Sequence, residues 1–136
     1  MQQWSFQAAD AGRAYGVRHD MLAYLRSRAA EGSDLDAAAL IFGELVGNVV
    51  RHAPGPIAVD LLWDGDTAIL RVIDTGPGFD WNGRPTLPSM YAESGRGLYI
   101  ASSVAQSLQV CRLAGNGTQA TARLPVYLSD EFKAKI

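Results

Sequence analysis

Glu44 and Asn48 stand four residues apart in "ELVGNVVRHA" (44–53). On a helix that spacing puts both on one face. An amide oxygen such as that of Asn48 can ligate Mg²⁺, which takes few protein ligands and keeps waters and phosphate oxygens. A carboxylate one turn away, Glu44, can accept a proton from an attacking hydroxyl. Gly43 and Gly47 sit beside this pair at the same spacing. Glycine inside a helix costs about 1 kcal/mol relative to alanine, but its missing side chain lets a group such as a phosphate come close. The plainer reading is a solvated helix edge, continued by Arg51 and His52. The narrowness of the stripe and the adjacent glycines weigh against it.

Two more stretches can do related chemistry. In "DTGPGF" (74–79), Asp74 ends an apolar run, and Gly76 and Gly78 allow a sharp turn close to a ligand. In "SGRGL" (94–98), Gly95, Arg96, Gly97 and Leu98 open a helix whose first amides form an anion site. Each stretch alone also fits an ordinary glycine turn. Ten of the twelve basic residues are arginine, and both lysines, Lys133 and Lys135, are at the C-terminus. No G-x-x-x-x-G-K-[ST] occurs, so arginine or backbone amides must handle any phosphate. The G-x-G-x-x-I at 95–100 lacks a leading strand and a following acid, which excludes a dinucleotide fold.

The elements that would position these residues can be read from periodicity. "WSFQA" (4–8) is a short strand. Val17, Met21, Tyr24, Leu25 and Ala29 mark a helix over 11–30. "SDLD" (33–36) predicts a helix start, with Ser33 as cap and Asp36 reaching back. The second helix runs from about Leu35 to Arg51, with a core stripe of Leu35, Ala39, Phe42, Val46 and Val49, and "HAPGP" stops it. "PIAVDLLW" and "TAILRVID" are strands around the turn "DGD". A long aperiodic connection follows, containing a candidate lid at 79–94. Leu98, Ala101, Ala105 and Leu108 mark a third helix. "LQVCRLAG" and "GTQATARLP" form a hairpin around Gly115-Asn116-Gly117. The order β-α-α-β-β-loop-α-β-β predicts a two-layer α/β sandwich, a largely antiparallel mixed sheet with helices on one face.

Bulk properties are consistent with this. A 136-residue chain is one domain, 1–136, and 48% hydrophobic residues can fill a core. A net charge of −2 gives no footprint for nucleic acid. The single cysteine, Cys111, reads as a small buried hydrophobe in a strand and fits a cytoplasmic protein. No apolar run reaches the roughly 20 residues of a membrane span, and the N-terminus lacks a signal-peptide pattern. His19 reads as a surface histidine and His52 as a helix-end histidine. Trp4 and Trp63 fit either core or partner contacts, whereas Trp81 lies in the lid.

Taken together, the three stretches resemble the GHKL ATPase superfamily of gyrase, Hsp90, histidine kinases and MutL. E-x-x-x-N is followed by D-x-G-x-G, by G-x-G-L at a helix start, and by Gly117-Thr118 in a late hairpin. The resemblance covers nearly the whole chain and implies the Bergerat ATP-binding fold. "ELVGNVVRHA" looks like the N-box, "DTGPGF" and "GRGL" the two glycine boxes. Small size, the N-box form and a short lid make the chain most similar to the anti-sigma-factor serine/threonine kinases.

That resemblance implies ATP and Mg²⁺ as cofactors, with Asn48 holding the metal and Glu44 as general base. It implies that Asp74 accepts a hydrogen bond from the adenine amino group, with Gly76, Gly78 and Thr118 beside the base. A carboxylate would face the O6 of guanine with repulsion, so ATP should be preferred to GTP. Gly95 and Gly97 would cradle phosphates, Leu98 would follow them into the helix, and Arg96 would reach the γ-phosphate, with Arg51 and Arg84 as further candidates. The implied partners are a small antagonist protein, phosphorylated on serine or threonine, and a sigma factor. Many such proteins pair as homodimers. Two other functions fit the same residues: a nucleotide-gated binding module without phosphotransfer, and a detached histidine-kinase catalytic core.

Overall fold

The computed structural model describes residues 1–52, 55–74, 100–113 and 117–133. The described elements run β1 (Gln2–Gln7), α1 (Ala11–Arg28), α2 (Leu35–His52), β2 (Pro56–Asp64), β3 (Thr67–Asp74), a helical stretch α3 over 100–104, β4 (Ser107–Arg112), β5 (Thr118–Tyr127) and the short helix α4 (Asp130–Lys133). The five strands form one sheet in the order β1-β2-β3-β5-β4, and every pairing is antiparallel. The α/β fold with an antiparallel sheet is the one expected from the pattern.

Strict alternation gives the sheet two faces. In β5, Thr118, Ala120, Ala122, Leu124 and Val126 are buried, while the residues between them are half-buried. In β3, Leu70, Val72 and Asp74 share the buried face. α1 and α2 pack on this side. Val17, Met21 and Leu25 of α1, and Ile41, Phe42, Leu45, Val46 and Val49 of α2, form the core with it. Each such side chain contributes about 1.5–3 kcal/mol on burial, and this fixes the two helices on a single face. The other face carries the ion pair Arg71–Asp60, at 3.3 Å, and is not covered by a described helix.

The start of α2 is anchored to β5. The Asp34 amide donates to the Pro125 carbonyl at 2.8 Å. Proline fits there because the β3–β5 register shifts between Thr67 and Ile69, which interrupts the ladder. The cap differs from expectation. Asp34, not Ser33, accepts from the Ala37 amide at 3.0 Å. The Ser33 hydroxyl instead accepts from the Tyr127 amide at 2.9 Å, so it ties the turn to β5 and is not free to cap. Leu108 is also reassigned. The third helix has ended by residue 105, and Leu108 lies in β4 opposite Ala122. Cys111 is exposed, not buried, because it alternates onto the face away from the helices, opposite Gln119, while Leu108 and Val110 face the core. Trp4 and Trp63 pack partly against the core, and the Trp63 indole donates to the Tyr24 hydroxyl at 3.0 Å. His19 is exposed as expected.

Candidate functional site

Asp74 and Thr118 are direct partners in the β3–β5 ladder, at one end of the central strands. Both are on the helix-covered face, and both are buried, at 1% and 2% exposure. The Thr118 hydroxyl has no hydrogen-bond partner among the described residues. Polar residues at the end of two otherwise apolar buried rows form a polar spot between the layers.

Asn48 reaches the same level of the molecule. From the anchor at Asp34, fourteen residues of helix (34 to 48) rise about 21 Å. From Pro125, seven residues of β5 (125 back to 118) span about 23 Å. α2 packs on β5 and β3, so these two lengths set Asn48 near the level of the Asp74–Thr118 end. Asn48 is 1% exposed, and neither its carbonyl oxygen nor its amide nitrogen has a hydrogen-bond partner among the described residues. A buried polar group left so costs about 1–3 kcal/mol, which a ligand with complementary groups would offset. Asn48 is thus not part of a solvated edge. Glu44, one turn earlier, is half-buried, and Arg51 is exposed.

The two glycines beside the pair face elsewhere. Gly43 and Gly47 line a groove between α1 and α2, together with Tyr15 and Arg18. Neither Asn48 nor Glu44 lines it. The expected role of these glycines, admitting a ligand to the Glu44–Asn48 face, is therefore not the one their position serves. Sequence reasoning missed this groove, because spacing alone does not say which side of α2 meets α1.

Gly76, Gly78, Gly95, Arg96, Gly97 and Leu98 lie outside the described residues, as do Trp81, Arg84 and the candidate lid at 79–94. Of the expected site, Asp74 and Thr118 are paired and buried at one end of the sheet, and Asn48 is buried on α2, with Glu44 one helical turn away. Among the described residues no three His, Cys, Asp or Glu side chains form a metal cage. A single amide oxygen suits Mg²⁺, which relies on phosphate and water for its remaining ligands.

The family of histidine kinase-like ATPase domains matches residues 7–124, most of the chain and all four of these residues. The chain belongs to that family. Full-length ShkA, solved in complex with AMPPNP, is similar in structure, with a TM-score of 0.58 and 19% sequence identity. The likeness covers 87% of this chain and 30% of ShkA, and it bears on the fold alone. No curated protein matches the chain in sequence. Among the described residues no helix is long and apolar enough to cross a membrane.

Proposed function

We infer that this ATPase-domain chain binds ATP with Mg²⁺ between α2 and the Asp74–Thr118 end of the sheet. We further infer that it transfers the γ-phosphate to a serine or threonine of a small antagonist protein, as anti-sigma-factor kinases do. The observation that carries the reading is the buried Asn48 amide, without a partner among the described residues, on the helix that packs against the strands holding the buried Asp74–Thr118 pair. Family membership supports the nucleotide, and the resemblance of the N-box supports the branch.

Asn48 would hold the metal through its carbonyl oxygen. When bound, the ion would supply positive charge to offset that of the phosphates. Asp74 would accept from the exocyclic amine of adenine, and Thr118 would flank the base. Glu44, one turn from Asn48 and less buried, would take the proton of the attacking hydroxyl. Arg96 would meet the γ-phosphate.

The test is incubation of the chain with radiolabelled Mg-ATP and candidate antagonist proteins. The expected product is acid-stable phosphoserine or phosphothreonine, lost with Glu44→Gln. Acid-labile phosphohistidine would replace the branch assignment. Tight ATP binding without any phosphorylated protein would leave a nucleotide-gated binding module.

A further inference from the structure

The groove between α1 and α2 has a volume of about 310 Å³ and is lined almost wholly by apolar and small residues. Its floor is the Gly43–Gly47 side of α2. A Cβ on Gly47 would come within 3.2 Å of the Arg51 guanidinium, so that glycine lets Arg51 fold back along the helix. A Cβ on Gly43 would meet nothing within 4 Å. The cost of glycine in mid-helix, about 1 kcal/mol, is thus not offset by any contact at Gly43 among the described residues.

Large apolar side chains are exposed at this floor, where Tyr15 and Val50 line the groove, and one turn before it on α2, at Leu40. Tyr15 is 71% exposed, Leu40 40% and Val50 43%. Leu40, Gly43, Gly47 and Val50 form one stripe along α2, from residue 40 to residue 50, about 15 Å long. That is the footprint of about three turns of an amphipathic helix laid in a groove, anchored at i, i+3, i+7 and i+10. Among the described residues, the charged side chains lining the groove are Arg18 and Arg51, and no carboxylate lines it. A second copy is a poor occupant, since a twofold contact of this patch with itself would set arginines against arginines.

We propose that this groove docks an amphipathic helix of a partner protein. Its apolar residues lie over Gly43, and its flanking carboxylates pair with Arg18 and Arg51. The proposal does not rest on the nucleotide reading, and its test uses no nucleotide. The isotope-labelled chain is titrated with a synthetic helix of about 14 residues, with leucines at the anchor spacing and glutamates on both flanks. A matched peptide carries lysine for glutamate.

Amide shifts confined to α1 and α2 are expected, with the acidic peptide bound at least about tenfold more tightly than the basic one. Gly43→Leu should weaken binding by about tenfold or more, with circular dichroism and melting temperature retained. Gly43→Ala, a smaller change, should weaken it less and raise the melting temperature. Arg18→Glu with Arg51→Glu should reverse the preference between the peptides. Equal binding of the two peptides, shifts centred elsewhere, or full affinity in Gly43→Leu would overturn the proposal. So would the same shifts on concentrating the chain alone, or on adding phosphatidylserine vesicles.

Discussion

Asn48 carries the site at the scale of the residue. Its buried amide lacks a partner among the described residues, so the chain tolerates a cost of about 1–3 kcal/mol there without ligand. Replacing it removes that cost while leaving a small cavity, two effects of opposite sign. Asn48→Ala should therefore melt within a few degrees of the parent chain. It should also lose the stabilisation by Mg-ATP, which at a hundred times Kd would be about 2.7 kcal/mol. Thermal denaturation with and without Mg-ATP measures both, and an undiminished shift in the variant would remove the assignment. Asp74→Asn keeps the size of a buried residue but puts an amide donor where adenine needs an acceptor. Calorimetry should find ATP binding lost and the preference over GTP gone. The four-residue spacing of Glu44 and Asn48 was legible in the sequence. Which layer Asn48 faces was not, because its surroundings depend on a strand pairing between positions 74 and 118. The same holds for the glycines, whose spacing matches that of the site but whose open side meets α1.

At the scale of the element, the start of α2 separates two capping arrangements that look alike in sequence. Asp34 accepts from the Ala37 amide, so Asp34→Ala should cost about 1 kcal/mol in urea denaturation. Asp36→Ala should cost only its interaction with the helix dipole, about 0.3–1 kcal/mol. A larger loss at Asp36 than at Asp34 would restore the capping box read from "SDLD". This start matters because the Asp34–Pro125 bond sets the level at which Asn48 meets the sheet. The helix α2 and the β2–β3 hairpin were legible, since a strong 3.6-residue period and two β-rich runs around "DGD" leave little ambiguity. Gly65, at φ 62°, supplies the left-handed turn that such a short hairpin loop needs. The strand read in "LQVCRLAG" is β4, but the end of α3 before it was not legible. Ala101, Ala105 and Leu108 fit a helix equally well, and the Gln106 amide switches the chain to strand by donating to the Arg123 carbonyl. The face that Cys111 takes, which exposes it, depends on the register of β4 against β5, a non-local fact.

At the scale of the molecule, the two ends of the β2–β3 hairpin differ in kind. One end holds Asp74 and Thr118, with the last turns of α2 above them. The other holds a packed cluster in which the Trp63 indole donates to Tyr24 and Arg28 lies over the Tyr24 ring at 4.3 Å. The eight residues of β3 put these ends about 23 Å apart. Ligand binding protects the backbone it orders, and protection falls off where no contact is made. Hydrogen exchange with Mg-ATP should therefore slow in the C-terminal half of α2 and at the paired ends of β3 and β5. The Trp63–Tyr24–Arg28 end and the edge strand β4 should exchange as before, and Mg-GTP should produce little change anywhere. Protection spread evenly over both ends would mean global stabilisation without a defined site. Protection at the Trp63 end alone would place the nucleotide at the opposite end of the sheet, too far for Asn48 and Asp74 to touch it.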